Sequence, residues 1–420
     1  MSPRRNKVYL ALCQTAVSNL KLRLFCFVAA IVALGIADER YFRSDEQGVP
    51  LWAQGMRSSE GFRKEQAEIS KLWNLVGVTT DVAKNGDWFR STLGGKSIFV
   101  QRFDDELRGF ENVCAHRFYP IRTADKGNGP VRCGFHHWQY NKDGLALGIP
   151  KCQEMFGVIP RELDARLRPV EIATCGVLVF ARFPSREHRE TLQEYLGTGY
   201  DILAAMWGLQ SAPYVESTEV KANWKLGHHI SLDDYHIVAV HPSTFGKNGY
   251  LPLDVVKYYR FGRHSAYFYG AEGPANGPAL EKMARECREG TYRPDNYRIL
   301  QFFPNLVCLH LSAGLTYYVL IQHYMPVAHD RTILRSYYAE APFPAQDASF
   351  LQGVARRIAR PFVPHVLPYY MHKIVQEDNE VCEHMQTIVH QIDKPQVLGK
   401  HEERIIWFEE NYAEVVGKAL

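Results

Sequence analysis

The stretch CAHRFYPIRTADKGNGPVRCGFHHW, Cys114 to Trp138, constrains this chain more than any other. It holds Cys-x-His (Cys114, His116) and, after sixteen intervening residues, Cys-x-x-His (Cys133, His136). Thiolates and imidazoles are metal ligands, and four of them in so short a span ask for two loops brought to one place. Gly127, Gly129 and Pro130 supply the turns between the pairs. Structural zinc sites use close pairs of like ligands, whereas each pair here mixes one cysteine with one histidine. A mixed pair suits a two-iron cluster, with both thiolates on one iron and both imidazoles on the other. Zinc is the plainer alternative.

The surrounding sequence reads as strands. WFRSTL and KSIFVQRF flank Gly94-Gly95, the dipeptide that supplies the positive φ angles of a tight hairpin turn. FENV leads directly into Cys114, and CGVLVFARF (Cys175 to Phe183) predicts a closing strand. Residues 75–183 are therefore expected to form a small all-β domain carrying both Cys/His pairs on its loops. Before it, Ser59 to Val76 predicts one amphipathic helix by its spacing, within a helical segment 39–74 that packs with the later part of the chain.

Beyond Pro184 the pattern is mixed. HRETLQEYLGTGYDILAAMW is helical, and KANWKLGHHISLDDYHIVAVH partly so. VVKYYRFGRHSAYFYG and the aromatic, β-branched run from Arg298 to Tyr338 predict strands, and Tyr369 to Gln391 returns to helix. Residues 184–420 are expected to be an antiparallel sheet flanked by helices, which makes the chain α+β.

With 420 residues there is room for two or three domains, and 46% hydrophobic with 23% charged residues is ordinary for a globular protein. A net charge of +3 argues against nucleic acid as a partner. Nine scattered cysteines are no disulfide framework and predict a reducing, cytoplasmic setting. Arg4, Arg5 and Lys7 precede fourteen apolar residues, Leu24 to Ala37, too short for an ordinary membrane span. A signal peptide, an extension outside the folded domain, a membrane anchor and an ordinary helix all stay open for residues 1–38, so export or membrane association does too.

A second metal site is foreshadowed by NWKLGHHISLDDYHIVAVHP. Asp233 and His236 are three apart and share a helix face. His236 and His241 are five apart, which a regular helix does not bring together, and Pro242 disfavours helical geometry at His241. A π-bulge or a helix end would do so. Two histidines with one carboxylate form the facial triad of non-haem iron sites. In MHKIVQEDNEVCEHMQTIVHQ, Asp378 falls within a stripe of Ile374, Val381, Cys382, Met385, Ile388 and Val389, while Glu380 and Glu383 point away. A carboxylate on a buried face asks for a cation. Glu377, at the stripe's edge, is the reserve candidate.

CAHR…CGFHHWQYNKDG resembles the Rieske motif of ring-hydroxylating oxygenase large subunits, with Trp138, Tyr140 and the Asp143-Gly144 turn also in place. With NWK, Asp-x2-His-x4-His and the later Glu-Asp in the family's order, the resemblance to Rieske non-haem iron oxygenase alpha subunits covers the chain from about residue 40. It implies a Rieske domain followed by a catalytic domain of helix-grip type. It further implies a [2Fe-2S] cluster on Cys114, His116, Cys133 and His136, and iron(II) on His236, His241 and Asp378. Asp233 becomes the carboxylate linking a cluster histidine of one subunit to an iron-ligand histidine of the next. The implied protein is a terminal oxygenase, a head-to-tail homotrimer with or without a small beta subunit. It takes electrons that start at NAD(P)H through a reductase or ferredoxin, and uses O2 to hydroxylate a small aromatic substrate. O- or N-demethylation and simple electron carriage are the alternatives. Two departures stand out. His137 replaces the family's usual Gly, and His228-His229 replace Glu-Asn, whose Asn lies near the iron. His229 is then a hydrogen-bond partner behind the ligands, an extra weak ligand, or a helix histidine with no metal role.

Overall fold

The computed structural model describes residues 50–206, 214–243, 255–270, 278–292, 297–313, 316–340 and 363–417, with residues 354 and 358. The apolar segment at Leu24 to Ala37 and the question of targeting lie outside them. Among the described residues no helix is long and apolar enough to cross a membrane, and seven cysteines there are free and buried.

Two antiparallel sheets organise the chain, as expected of its fold class. The first contains β1 (Asn74–Val78), β2 (Asp87–Leu93), β3 (Lys96–Phe103), β4 (Glu106–Glu111), β5 (Lys126–Asn128), β9 (Pro169–Cys175) and β10 (Leu178–Arg182), in the order β1-β10-β9-β4-β3-β2-β5. Gly94 and Gly95, at φ 56° and 75°, close the β2–β3 hairpin with two left-handed residues, so the turn read from the sequence forms. A small sheet of β6 (Val131–Arg132), β7 (Gln139–Tyr140) and β8 (Ala146–Gly148) stands beside the second Cys/His loop.

The second sheet runs β12 (Val256–Phe261), β13 (His264–Tyr269), β14 (Arg298–Phe302), β15 (Leu306–Ala313), β16 (Thr316–Ala328) and β17 (Arg331–Glu340) as a meander, with β11 (Tyr214–Val220) on the far edge. Helices precede and intersperse these strands: α1 (Leu51–Arg57), α2 (Ser59–Ile69), α3 (Cys152–Phe156), α4 (Pro160–Leu163), α5 (Leu192–Leu196) and α6 (Gly199–Met206). Then come α7 (Trp224–Ile230), α8 (Ile237–Val240), α9 (Ala279–Glu289), α10 (Val363–Thr387) and α11 (Glu403–Val416). One sheet face lies under α7, α10 and α11. There Gly227 of α7 sits so close to Tyr324 of β16 that a Cβ would stand 2.9 Å from the ring.

Two local expectations differ. The single helix expected over Ser59 to Val76 ends at Ile69, and the chain has become strand by Asn74. The Asn74 amide donates to the carbonyls of Ile69 (3.0 Å) and Leu72 (2.7 Å), satisfying backbone groups that a continuing helix would have used. The strand expected to start at Cys175 begins at Leu178 instead, because Cys175 ends β9 and Gly176 turns the chain at φ 58°. The network that ties α2 to the second sheet's helices is polar. Buried Glu65 accepts hydrogen bonds from Lys225, from Trp224 Nε1 (2.6 Å) and from the Tyr412 hydroxyl (2.6 Å).

Candidate metal centres

The two Cys/His loops are built alike. In the first, Cys114 N–H donates to Tyr119 O (2.8 Å) and Phe118 N–H to Cys114 O (3.1 Å). In the second, Cys133 N–H donates to Trp138 O (2.9 Å) and His137 N–H to Cys133 O (3.1 Å). Each loop needs a left-handed residue to close, supplied by Phe118 at φ 61° and His137 at φ 60°. That accounts for His137. The position calls for left-handed backbone, which glycine adopts freely and histidine more readily than most other side chains. His137 is itself exposed.

The loops bring together two buried thiols and two imidazoles whose ring centroids are 4.7 Å apart. Tyr140 Oη lies 3.0 Å from Cys114 Sγ, and Phe135 N–H donates to Cys133 Sγ at 3.4 Å. His116 stacks on Trp138 at 4.6 Å, and its Nδ1 is buried without a hydrogen-bond partner. Burial, then the charges of His136 and Arg117, lower the His116 pKa and keep it neutral, the form that ligates metal. Paired thiols, paired imidazoles and an orphaned ring nitrogen fit a [2Fe-2S] cluster. Around them the surface is apolar, with Phe118, Tyr119, Phe135 and Met155 exposed.

The second centre is assembled from α8 and α10. His236 caps the start of α8 and His241, at φ −112° and ψ 45°, caps its end. A helix end, not a π-bulge, therefore solves the five-residue spacing, leaving the rings 5.3 Å apart. Asp378 comes from the middle of α10, with Oδ1 3.0 Å from His241 Nε2 and 3.5 Å from His236 Nε2. One ligand atom from each of the three lies within 4.8 Å of the others, and among the described residues only this group converges so. These contacts are close, yet Asp378 Oδ1 has no aligned hydrogen bond. Both ring nitrogens and the carboxylate point toward a common place between them, which fits a cation.

The flanking groups orient the two imidazoles. Asp233 Oδ2 is 3.3 Å from His236 Nδ1, and its Oδ1 accepts Tyr235 N–H at 2.6 Å. Glu377 Oε2 is 2.8 Å from His241 Nδ1, and its Oε1 accepts from Ser243 Oγ at 2.8 Å. The reserve candidate thus sits behind His241, on the nitrogen away from Asp378. Burial pulls the His236 imidazolium down, but the carboxylates of Asp233 and Asp378 beside it outweigh that and bring the pKa up to about 9. Burial opposes ionisation of Asp378, and the two histidines overcome it to lower its pKa. The site thus draws positive charge, as a cation-binding centre does.

Other residues named from the sequence fall elsewhere. His229 Nε2 is 2.8 Å from Glu409 Oε1, against Trp52 and Phe408, so its contacts are with α11 and α1. His228 is fully buried between Tyr324 and Phe408. Glu383 accepts Lys221 N–H, while Met385 and Ile388, expected on the buried stripe, are exposed where α10 ends at Thr387. Tyr140 and the sites' outer carboxylates are legible only as motif neighbours. The α11 residues Arg404 and Glu409 carry no signal in the sequence at all.

Residues 206–418 match the family model described as ring hydroxylating alpha subunit (catalytic domain), and residues 72–168 match the Rieske [2Fe-2S] domain. Benzene 1,2-dioxygenase subunit alpha of Pseudomonas putida is 28% identical over 51% of this chain and 55% of its own length. The chain spans about half the length of the curated relatives it matches. Naphthalene 1,2-dioxygenase from Rhodococcus sp. superposes with a TM-score of 0.65 at 19% identity, over 87% of this chain and 94% of that one. A quaternary ammonium Rieske monooxygenase gives 0.64 at 17%, over 86% and 94%. Both structures speak for the fold alone. With its catalytic-domain match spanning half the sequence, the chain belongs to the ring-hydroxylating alpha subunit family, which pairs a Rieske [2Fe-2S] cluster with a mononuclear iron.

Proposed function

We propose that this chain is the terminal oxygenase component of a Rieske system that hydroxylates an aromatic substrate with O2. The convergence of His236, His241 and Asp378 in a chain that also carries the Cys/His loops supports the reading best. Cys114, His116, Cys133 and His136 would hold the cluster, and His236, His241 and Asp378 the iron. Those groups supply one-electron transfer and O2 activation when bound. The chain's own residues do the positioning. Asp233 and Glu377 accept the Nδ1 protons of His236 and His241 and so leave each Nε2 as the ligand nitrogen. Asp233 is only partly buried and lies beside exposed Tyr235 and Val238, so its carboxylate is open to solvent on that side. That suits an inter-subunit bridge in a head-to-tail homotrimer, with a ferredoxin or reductase meeting the apolar surface around the Cys/His loops. In this reading residues 75–183 are the Rieske domain, 184–420 the catalytic domain, and 39–74 a helical segment on the latter.

The test is reconstitution with a surrogate reductase, NADH and a panel of arenes and N- or O-methylated arenes, following oxygen uptake coupled to product. Asp233→Asn should leave the cluster's visible absorption intact while turnover collapses. Retained turnover sinks the bridging role. An electron carrier without oxygenase activity would hold about two irons per chain, and the oxygenase about three.

A further inference from the structure

A buried ion pair anchors the passage that leads into the His236 centre. Arg404, in the first turn of α11, is fully buried, and Asp234, two residues before His236, is buried with it. Arg404 Nη2 donates to both oxygens of Asp234, at 3.3 and 3.2 Å. The Tyr258 hydroxyl donates to Asp234 Oδ2 at 3.2 Å and lies as close to the His401 carbonyl, just ahead of α11. The guanidinium carbon is 5.5 Å from the ring centroid of Tyr258 and 5.2 Å from that of Tyr267, and both rings attract the cation. The anchor is therefore fixed from α11 and from the neighbouring strands β12 and β13.

What it holds is the short non-helical passage from α7 to α8. His236 stands at the head of α8, and a helix of four residues is too short to keep its place alone. Along the passage burial alternates. Leu232 and Asp234 are buried, Asp233 is partly exposed and Tyr235 is exposed. Asp233 thus stands on the outer side, where Oδ1 accepts Tyr235 N–H at 2.6 Å and Oδ2 lies 3.3 Å from His236 Nδ1. With two aspartates in succession, a slip of one residue would exchange them and take the outer carboxylate away from His236. A buried cation paired with Asp234 settles which of the two faces inward.

Stability alone does not account for this pair. Among the described residues, Arg404 Nε and Nη1 have no hydrogen-bond partner. A buried ion pair with unmet donors is often matched or bettered by apolar side chains of similar volume, and its best-attested use is to fix one register over another. We infer that Arg404, acting through Asp234, positions Asp233 and His236 and thereby sets how tightly the mononuclear centre holds its metal. Arg404 is a positioning residue and performs no chemistry. The inference rests on the reading of His236, His241 and Asp378 as iron ligands.

The test separates metal binding from stability, in the full chain loaded with its cluster. Removing one charge strands the other, so the decisive variant joins Asp234→Val to Arg404→Met, which removes both and keeps the volume nearly the same. Fe(II) affinity is read by chelator competition, and ligand geometry by near-infrared magnetic circular dichroism of the mononuclear Fe(II). Stability is read by thermal unfolding. The double variant should melt no lower than the unaltered chain, yet hold Fe(II) about tenfold more weakly and with a changed spectrum. That is the lower end of what losing an outer partner of a metal ligand costs. Tyr258→Phe, which takes one donor from Asp234, should move affinity and spectrum the same way by a smaller step. Glu409→Gln disturbs the other buried ion pair of α11, with His229, and should lower the melting temperature while leaving affinity and spectrum alone. Unchanged affinity and spectrum in the double variant overturn the inference. So does an equal loss of iron in Glu409→Gln, since iron would then follow any loosening of α11. If the double variant does not fold, Tyr258→Phe decides, and an unchanged affinity and spectrum there overturn the inference. The unaltered chain tells the two readings apart. About three irons in it, with any of these failures, sinks this inference alone, whereas cluster iron alone sinks the iron-site reading as well.

Discussion

Glu377 and Asp378 are adjacent carboxylates on one helix, and the structure gives them opposite duties on the same imidazole. Asp378 Oδ1 faces His241 Nε2 at 3.0 Å, and Glu377 Oε2 faces His241 Nδ1 at 2.8 Å. Only Asp378 also reaches His236. Glu377→Gln keeps the size of the side chain and leaves an amide oxygen able to accept from Nδ1. What it loses is charge. A hydrogen bond to a charged group contributes about 1.5–3 kcal/mol against about 0.5–1.5 for a neutral one, so the change costs roughly 1–2 kcal/mol. In iron affinity that is about 5- to 30-fold, at the low end of what losing an outer partner of a metal ligand costs. Asp378→Asn instead removes the carboxylate that faces both histidines of the centre, and in the proposed assignment the mononuclear iron should be lost altogether. The assay is iron content under a graded chelator, with the cluster's EPR signal as an internal standard for folded protein. Glu377→Gln should still saturate at the unaltered iron content, at higher free iron. A Glu377→Gln protein that never saturates, beside an Asp378→Asn protein that does, would exchange the two roles and refute the assignment.

Tyr140→Phe removes the hydroxyl 3.0 Å from Cys114 Sγ. Losing about 1 kcal/mol of stabilisation of the reduced cluster should lower its one-electron potential by on the order of 40 mV, read by protein-film voltammetry; an unchanged potential refutes the contact. At the left-handed position 137, His137→Gly should leave thermal unfolding of the cluster domain nearly unchanged. His137→Val should destabilise it by about 1–2 kcal/mol, because a branched Cβ crowds that backbone; equal melting of the two variants would remove the conformational explanation. Three histidines should make the second sheet acid-labile. Burial drives His264 down to about 4 and His310 and His323 down to about 3, with nearby arginines adding to the effect. Each stays neutral when folded but takes up a proton on unfolding once pH is below its ordinary 6.5. Stability is therefore full above that value and falls as pH drops from 6.5 toward 4, by up to about 1.4 kcal/mol per unit for each histidine. A pH series of thermal unfolding should show a shallower acid slope in His323→Gln, and an equally steep one refutes the point.

The residues that were legible in the sequence are those whose partners are near in sequence or whose chemistry is rare. Two Cys/His pairs within one short segment announce a cluster, and Gly94-Gly95 announces a hairpin, because each pattern contains its own reason. The meeting of Asp378 with His236 and His241 was legible at long range since an acid amid Ile374 and Cys382 on a buried stripe demands compensation, and two closely spaced histidines elsewhere offered it. The end of α2 was not legible. Apolar spacing runs on through Leu72 and Trp73, and only the folded backbone shows Asn74 capping the carbonyls behind it. Harder still was α11. ERIIWFEENYAEVV has the composition of an ordinary amphipathic surface helix, yet it buries Arg404 and Glu409. Their partners, Asp234 and His229, lie more than a hundred residues away on the other side of the sheet's meander. A buried charge makes sense only beside its counter-charge, and no local period encodes that meeting.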